Sequence, residues 1–258
     1  MRANLRERVI AGDVVSGAMI FECFTPGIAQ IAKNAGCEFV LYDMEHAGLS
    51  IETFKMLCAT CAGIGVEPMV RVPRGEYHFI ARALDVGARG VMVPMVESKI
   101  QAQAIAEAMR YPPQGRRGAG FGFAHDSYLA GNVLDKMTAA NARNVAIAQI
   151  ETERGLEAVE EIAAIDGIDV LWVGHFDLTN FMGIPGEFDN PAYLAALKRI
   201  VGAAKKHNKG LGFMPASPEW ASQYRVLGFN MFGAGTDQGI LMNGIKAILS
   251  PLSEQTRR

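Results

Sequence analysis

The sequence predicts an α/β protein closed into a (β/α)8 TIM barrel, and three observations carry that prediction. Short runs rich in Val, Ile, Phe and Met alternate eight times with longer stretches of helical period. Runs such as Val40-Leu-Tyr-Asp-Met44, Gly90-Val-Met-Val-Pro-Met-Val96 and Val170-Leu-Trp-Val-Gly174 are apolar almost throughout, as parallel strands covered on both faces are. The length, 258 residues, suits eight such units in one domain spanning residues 1–258.

Taken in order, the first strand is expected at Val14–Phe21 and its helix at Pro26–Ala35. The turn between them, Glu22-Cys-Phe-Thr-Pro26, lacks the glycine fingerprint of an open dinucleotide-binding sheet, the rival architecture. Strand two (Glu38–Met44) leads to a helix at Ser50–Ala62, where Cys58 and Cys61 fall in the apolar pattern and read as packed core thiols. Strand three (Glu67–Val72) and the helix Tyr77–Val86 are followed by strand four (Gly90–Val96) and the helix Ser98–Met109. A long insert at about 110–143 then precedes strand five; it reads as a flexible lid with an extra helix at Ser127–Asn141. The chain closes with Val145–Glu151, a helix at Arg154–Ala164, Val170–Gly174, a helix at Asn190–His207, Gly210–Pro215, a helix at Pro218–Leu227, Asn230–Gly235 and a last helix at Asp237–Leu249.

Composition narrows the function. With 25 Lys+Arg against 27 Asp+Glu the net charge is −2, which supports neither a nucleic-acid nor an anionic-membrane surface. The apolar stretch near the N-terminus is broken by Asp13 and Glu22, and no segment reads as a membrane span. Four scattered cysteines fit a cytoplasmic protein without a disulfide framework.

In such a barrel the reacting groups come from the C-terminal ends of the strands. Those ends carry Asp43, Glu45 and His46 (strand two), Arg71 (strand three), Gln149 and Glu151 (strand five), Asp177 (after strand six) and Asp237 (after strand eight). Singly, each has a structural alternative: Asp43, Glu45 or Asp237 as a helix cap, Arg71 as an internal ion-pair partner. Together at one mouth they would be costly to desolvate without a use. Glu151 and Asp177 on neighbouring strands form a two-carboxylate oxygen site suited to Mg²⁺ or Mn²⁺. No lysine stands at a predicted strand end, which counts against Schiff-base chemistry.

Tyr42-Asp-Met-Glu-His46, Val70-Arg-Val-Pro73, Leu84-Asp-Val-Gly-Ala88 with Val93-Pro-Met-Val96, Arg110-Tyr-Pro-Pro-Gln-Gly-Arg-Arg-Gly118, Gln149-Ile-Glu-Thr152 and Val173-Gly-His-Phe-Asp-Leu178 resemble, in order and spacing, the HpcH/HpaI family of class II pyruvate aldolases. The resemblance covers nearly the whole chain. It implies an aldolase that cleaves or forms 4-hydroxy-2-oxo acids, with a 2-oxo acid and an aldehyde as small-molecule partners. It also implies a homo-oligomer, a hexamer built from dimers, with the last helix exchanged between subunits. In that picture Glu151 and Asp177 hold a divalent metal ion (Mg²⁺, Mn²⁺ or Co²⁺) chelated by pyruvate, and Arg71 faces the keto oxygen. Gln149 bonds the pyruvate, and the backbone amides of Gly174, His175, Phe176 and Asp177 hold its carboxylate. His46, its basicity raised by Asp43 and Asp85, moves the proton of the 4-hydroxyl.

The chain departs from the family pattern at Gly174-His175-Phe176-Asp177, where His175 and Phe176 replace a proline and a small or polar residue. Phe176 is expected either to narrow the pyruvate pocket or to pack into its wall, and His175 to stand behind the metal ligands or at an interface. In the insert, His125 is expected either to meet the aldehyde or to lie in solvent. The alternatives are another metal-and-enolate lyase, such as an oxo-acid decarboxylase or a citrate lyase β-like acyl-CoA lyase, and a non-catalytic metabolite-binding barrel.

Overall fold

Eight parallel strands close on themselves in chain order, each paired with its sequence neighbours and the eighth with the first. The computed structural model describes residues 3–255. Its elements are α1 (Leu5–Ile10), β1 (Val15–Ile20), α2 (Pro26–Asn34), β2 (Phe39–Asp43), α3 (Ile51–Ile64), β3 (Glu67–Arg71), α4 (Tyr77–Asp85), β4 (Gly90–Val93) and α5 (Lys99–Met109). A 3-10 turn at Ala124–Asp126 precedes α6 (Val133–Arg143), β5 (Val145–Ile150), α7 (Glu153–Glu157), α8 (Val159–Ala163), β6 (Val170–Val173) and α9 (His175–Phe181). The chain continues through α10 (Pro191–Lys206), β7 (Gly210–Phe213), α11 (Pro218–Leu227), β8 (Met231–Thr236) and α12 (Asp237–Gln255). Among the described residues no helix is long and apolar enough to cross a membrane.

The strands separate two apolar layers because successive side chains point to opposite faces. Val15, Met19, Phe39, Leu41, Met69, Met92, Ile147, Trp172 and Met231 fill the barrel, while Val40, Tyr42, Val70, Val91, Ala148 and Leu171 pack outward against the helices. Close packing inside requires glycine at Gly212, where a Cβ would lie 2.1 Å from Trp172 Cε3. The N-terminal face is plugged by α1, whose Leu5 and Val9 join the inner layer. Asp169 fastens that face by accepting from Arg6 Nε, Arg110 Nη2 and the Ala146 amide, each at 2.8 Å.

Several expected boundaries move for local reasons. Strand four ends at Val93 because Pro94 follows and Met95 turns the chain with a left-handed backbone (φ 50°). The helix expected at Arg154–Ala164 is two pieces parted at Ala158, and the insert's helix begins at Val133, where the Asn132 side chain accepts from the Leu134 and Asp135 amides.

The insert is not a lid over the mouth. Helix α5 runs back along the barrel, so the segment after Met109 starts at the N-terminal ends of the strands and returns there to begin β5. His125 is therefore buried on the face away from the mouth: its ring Nε2 meets Gly120 O at 2.8 Å, and its carbonyl accepts from Arg89 and Arg143 at 3.1 and 2.6 Å. Asp85, at the C-terminal end of α4, is on that same face and pairs with Arg117 at 2.6 Å.

Candidate active site

Strand alternation aims the polar residues at the mouth. Leu41, Met69 and Ile147 face the barrel axis, so Asp43, Arg71, Gln149 and Glu151, two or four residues further along the same chain segments, do so at its C-terminal end. The β2–β3 register sets Asp43 beside Arg71. Arg71 Nε donates to Asp43 Oδ1 at 2.5 Å, and its Nη1 lies 3.1 Å from Glu45 Oε2. The guanidinium is further confined by the Phe21 ring, 5.6 Å away. With Arg71 at 6 % and Asp43 at 0 % exposure, this is a buried pair whose partners satisfy one another.

Asp43 does not reach the His46 ring. Its second oxygen accepts the His46 backbone N–H at 2.7 Å, which fixes the start of the loop, and the imidazole itself is exposed. The carboxylate beside the ring is Glu45, with Oε2 3.8 Å from His46 Nε2. Burial raises the Glu45 carboxyl above its ordinary range, against the pull of Arg71 and His46. The expectation that Asp43 and Asp85 raise the basicity of His46 is thus corrected within one chain. Asp43 is committed to Arg71 and the backbone, Asp85 is at the opposite end, and Glu45 stands where they were expected.

Glu151 is held from two sides: Oε1 accepts from the Met95 amide at 2.7 Å, and Oε2 accepts from Gln149 Nε2. Gly174 lies over both groups, and a Cβ there would fall 2.4 Å from Glu151 Oε2, so only glycine fits. Burial, then Asp177 and Glu45, raise Glu151 to about 7. Gln149 Oε1 is buried without a partner. Asp177 sits in the first turn of α9, the short helix that follows β6.

These features fit a hard divalent cation. The donors are oxygens, their negative charges oppose one another, and burial makes the charged form costly until a cation neutralises it. Among the described residues no three His, Cys, Asp or Glu side chains form a metal-ligating group, and Glu151 and Asp177 are the two carboxylates that would hold the ion.

His175 is no ligand. Its ring packs among Phe176, Phe188, Phe213 and Trp220 at centroid distances of 4.6–5.6 Å, and burial lowers it to about 4. Phe176 stands in the wall of the cavity at its rim, 60 % exposed, with its ring centroid 4.6 Å from His175 and 5.2 Å from Phe188. The cavity between these groups is about 270 Å³, bounded by Arg71, Gln149, Gly174 and Asp177 and walled by Met19, Phe21, Trp172 and Met214. Asp237, the remaining strand-end acid, accepts from the Phe21, Glu22 and Cys23 amides at 2.7–3.1 Å and stitches the β8 end to the loop after β1. Glu45 was legible as a strand-end acid but not as the carboxylate beside His46, and Met95 was not legible as a clamp on Glu151.

A family model described as HpcH/HpaI aldolase/citrate lyase matches residues 18–244. The chain is 34 % identical over 236 residues to a hydroxypyruvate/pyruvate aldolase of Deinococcus radiodurans, covering 90 % of this chain and 83 % of the relative. It is 31 % identical to a 5-keto-4-deoxy-D-glucarate aldolase of Shigella dysenteriae, over 86 % of each chain. The crystal structure of an HpcH/HpaI aldolase from Desulfitobacterium hafniense superposes with a TM-score of 0.88 at 28 % identity, covering 96 % of this chain and 97 % of that one.

Proposed function

This chain belongs to the HpcH/HpaI aldolase/citrate lyase family, is an enzyme of the aldolase class, and from that premise we propose that it makes or breaks 4-hydroxy-2-oxo acids, with a divalent cation on Glu151 and Asp177. The observation that carries the proposal is the convergence of Arg71, Gln149 and Asp177 on one small cavity, with Glu151 buried against Gln149 and close enough to Asp177 for the two charges to oppose each other. A bound Mg²⁺, Mn²⁺ or Co²⁺ supplies a Lewis acid that favours the enolate of pyruvate or a close 2-oxo acid. Arg71, locked by Asp43 and Glu45, sets a fixed positive charge beside the keto oxygen, where negative charge develops. Gln149 orients the substrate, and the amides opening α9 receive its carboxylate. In cleavage His46 takes the proton of the 4-hydroxyl; in synthesis it returns one to the aldehyde oxygen as the new carbon–carbon bond forms. Glu45 Oε2 stands 3.8 Å from the ring Nε2 on the side toward Arg71.

Metal-stripped protein in D₂O with pyruvate is expected to exchange the methyl protons only after Mg²⁺ or Mn²⁺ is added, as followed by NMR. Absence of exchange with any divalent ion in folded protein would refute the proposal.

The Glu151 carboxyl gives a pH dependence of definite sign. Because its value in the fold is about 7, above the ordinary carboxylate range, protons compete with the cation below pH 7. The Kd for Mg²⁺ is expected to weaken about tenfold from pH 8 to pH 6, with about one proton released on binding at pH 6, as read by calorimetry in two buffers. The same raised value favours the ion-free fold at low pH. That contribution is lost as pH rises through about 7, by up to about 3 kcal/mol.

Helix α12 bears on assembly. Ile240, Leu241, Ile245, Ile248, Leu249 and Leu252 on it are each about half exposed or more, a density of apolar surface that calls for cover. A second copy of the chain is the proposed cover, with this helix exchanged and dimers joined into a hexamer. Light scattering is expected to give the hexamer mass, and Leu241→Glu with Ile245→Glu to reduce it. A monomeric wild type would exclude the assembly.

A further inference from the structure

A second cavity of about 450 Å³ opens beside the first, between the β3–α4 and β4–α5 loops. It begins at two groups of the candidate site: Glu45, 3.1 Å from Arg71 Nη1, and Met95, whose amide holds Glu151 Oε1. Its floor is apolar, from Val93, Val96 and Ile105, and its rim is charged. Glu45, Glu76 and Glu97 stand on the rim with one cation, Arg74, which is 4.0 Å from Glu76. The Glu97 segment is built rather than loose. Gln101 Oε1 accepts the Glu97 amide at 2.7 Å, and Ser98 Oγ accepts the Gln101 amide at 3.2 Å.

We infer that this groove receives the aldehyde half of the substrate and selects neutral, hydroxylated aldehydes over those carrying their own carboxylate. The inference rests on the aldolase reading above and adds the substrate class to it. Carboxylate oxygens accept hydrogen bonds from hydroxyl groups and repel a second carboxylate. Glu45 is paired with Arg71 and Arg74 with Glu76, which leaves the negative charge of Glu97 in excess on the rim, so an anionic aldehyde entering from solvent meets like charge before it reaches the enolate. Glu76 and Glu97 are therefore specificity-determining residues, remote from the bond that forms between the enolate carbon and the aldehyde carbon.

The test uses the metal-loaded enzyme and pyruvate, with D-glyceraldehyde and succinic semialdehyde as the two probes. At low ionic strength kcat/KM is expected to favour glyceraldehyde by about tenfold or more, and the ratio to fall as salt approaches about 1 M, where screening acts within about 3 Å. Glu97→Gln and Glu76→Gln should each lower the ratio, and the double variant should bring it close to the high-salt value. The ratio is internal to each variant, so a general loss of activity does not imitate the effect. Equal use of the two aldehydes, or a preference unmoved in the double variant, overturns the inference. A preference for succinic semialdehyde that Arg74→Gln abolishes also overturns it and gives the groove the opposite role. Pyruvate methyl exchange separates the two levels: exchange without discrimination sinks this inference alone, whereas no exchange sinks the aldolase reading and this one with it.

Discussion

Glu151→Gln is expected to lower carbon–carbon cleavage by at least about 10³-fold, the equivalent of about 4 kcal/mol of lost charge stabilisation. The amide keeps the shape of the side chain and its Oε1 can still accept from Met95; its NH2 then faces Gln149, whose unpartnered Oε1 accepts from it once that amide turns over, so the clamp survives while the negative charge is lost. The fold should respond in the opposite direction. Burial of the charged carboxylate weighs against folding above its raised value of about 7. The neutral amide removes that cost, so the ion-free variant at pH 8 should match or exceed the wild type in stability, by up to about 3 kcal/mol. Asp177→Asn should lose activity comparably, with a smaller change in stability, because Asp177 is less buried. Denaturant unfolding and Mg²⁺ titration calorimetry read the two effects separately. A Glu151→Gln enzyme that turns over within tenfold of the wild type would remove Glu151 from the cation site.

Arg71→Ala is expected to cost both catalysis and stability. The turnover number should fall by about 10²–10³, the loss typical of removing a fixed donor from a developing oxyanion. The buried Asp43 carboxylate loses the Nε donor at 2.5 Å, and an uncompensated buried charge of this kind costs about 3–5 kcal/mol. Arg71→Lys should recover part of the stability but less of the rate, since one ammonium cannot serve Asp43 and Glu45 from two nitrogens in fixed geometry. Steady-state cleavage kinetics and urea unfolding on both variants decide. Turnover within threefold of the wild type for Arg71→Ala would place the arginine among structural ion pairs only.

The barrel was legible because buried parallel strands have a composition of their own, and the runs around Leu41, Met92, Ile147 and Leu171 fall in the strands observed. The same runs located Asp43, Arg71, Gln149 and Glu151, whose common orientation follows from strand alternation. Isolated helices of fewer than two turns were not legible: α1 and α9 have 6 and 7 residues, too few for a 3.6-residue period to emerge. The insert was misplaced although chain order held the answer. A segment between a helix and the next strand lies on the N-terminal face of a barrel, and that rule puts Asp85 and His125 far from the mouth. The surroundings of His175 depend on rings from β7, α11 and the loop before α10, contacts that no local pattern encodes.

The left-handed backbone at Met95 sets protein fitness and catalytic fitness against each other. A non-glycine residue at a φ of 50° costs of the order of 1 kcal/mol, which glycine would relieve. Glycine would also let the peptide that grips Glu151 wander. A library sorted for heat resistance alone should therefore enrich glycine at position 95 while activity declines. One sorted for turnover should retain a side chain there and accept the lower melting temperature.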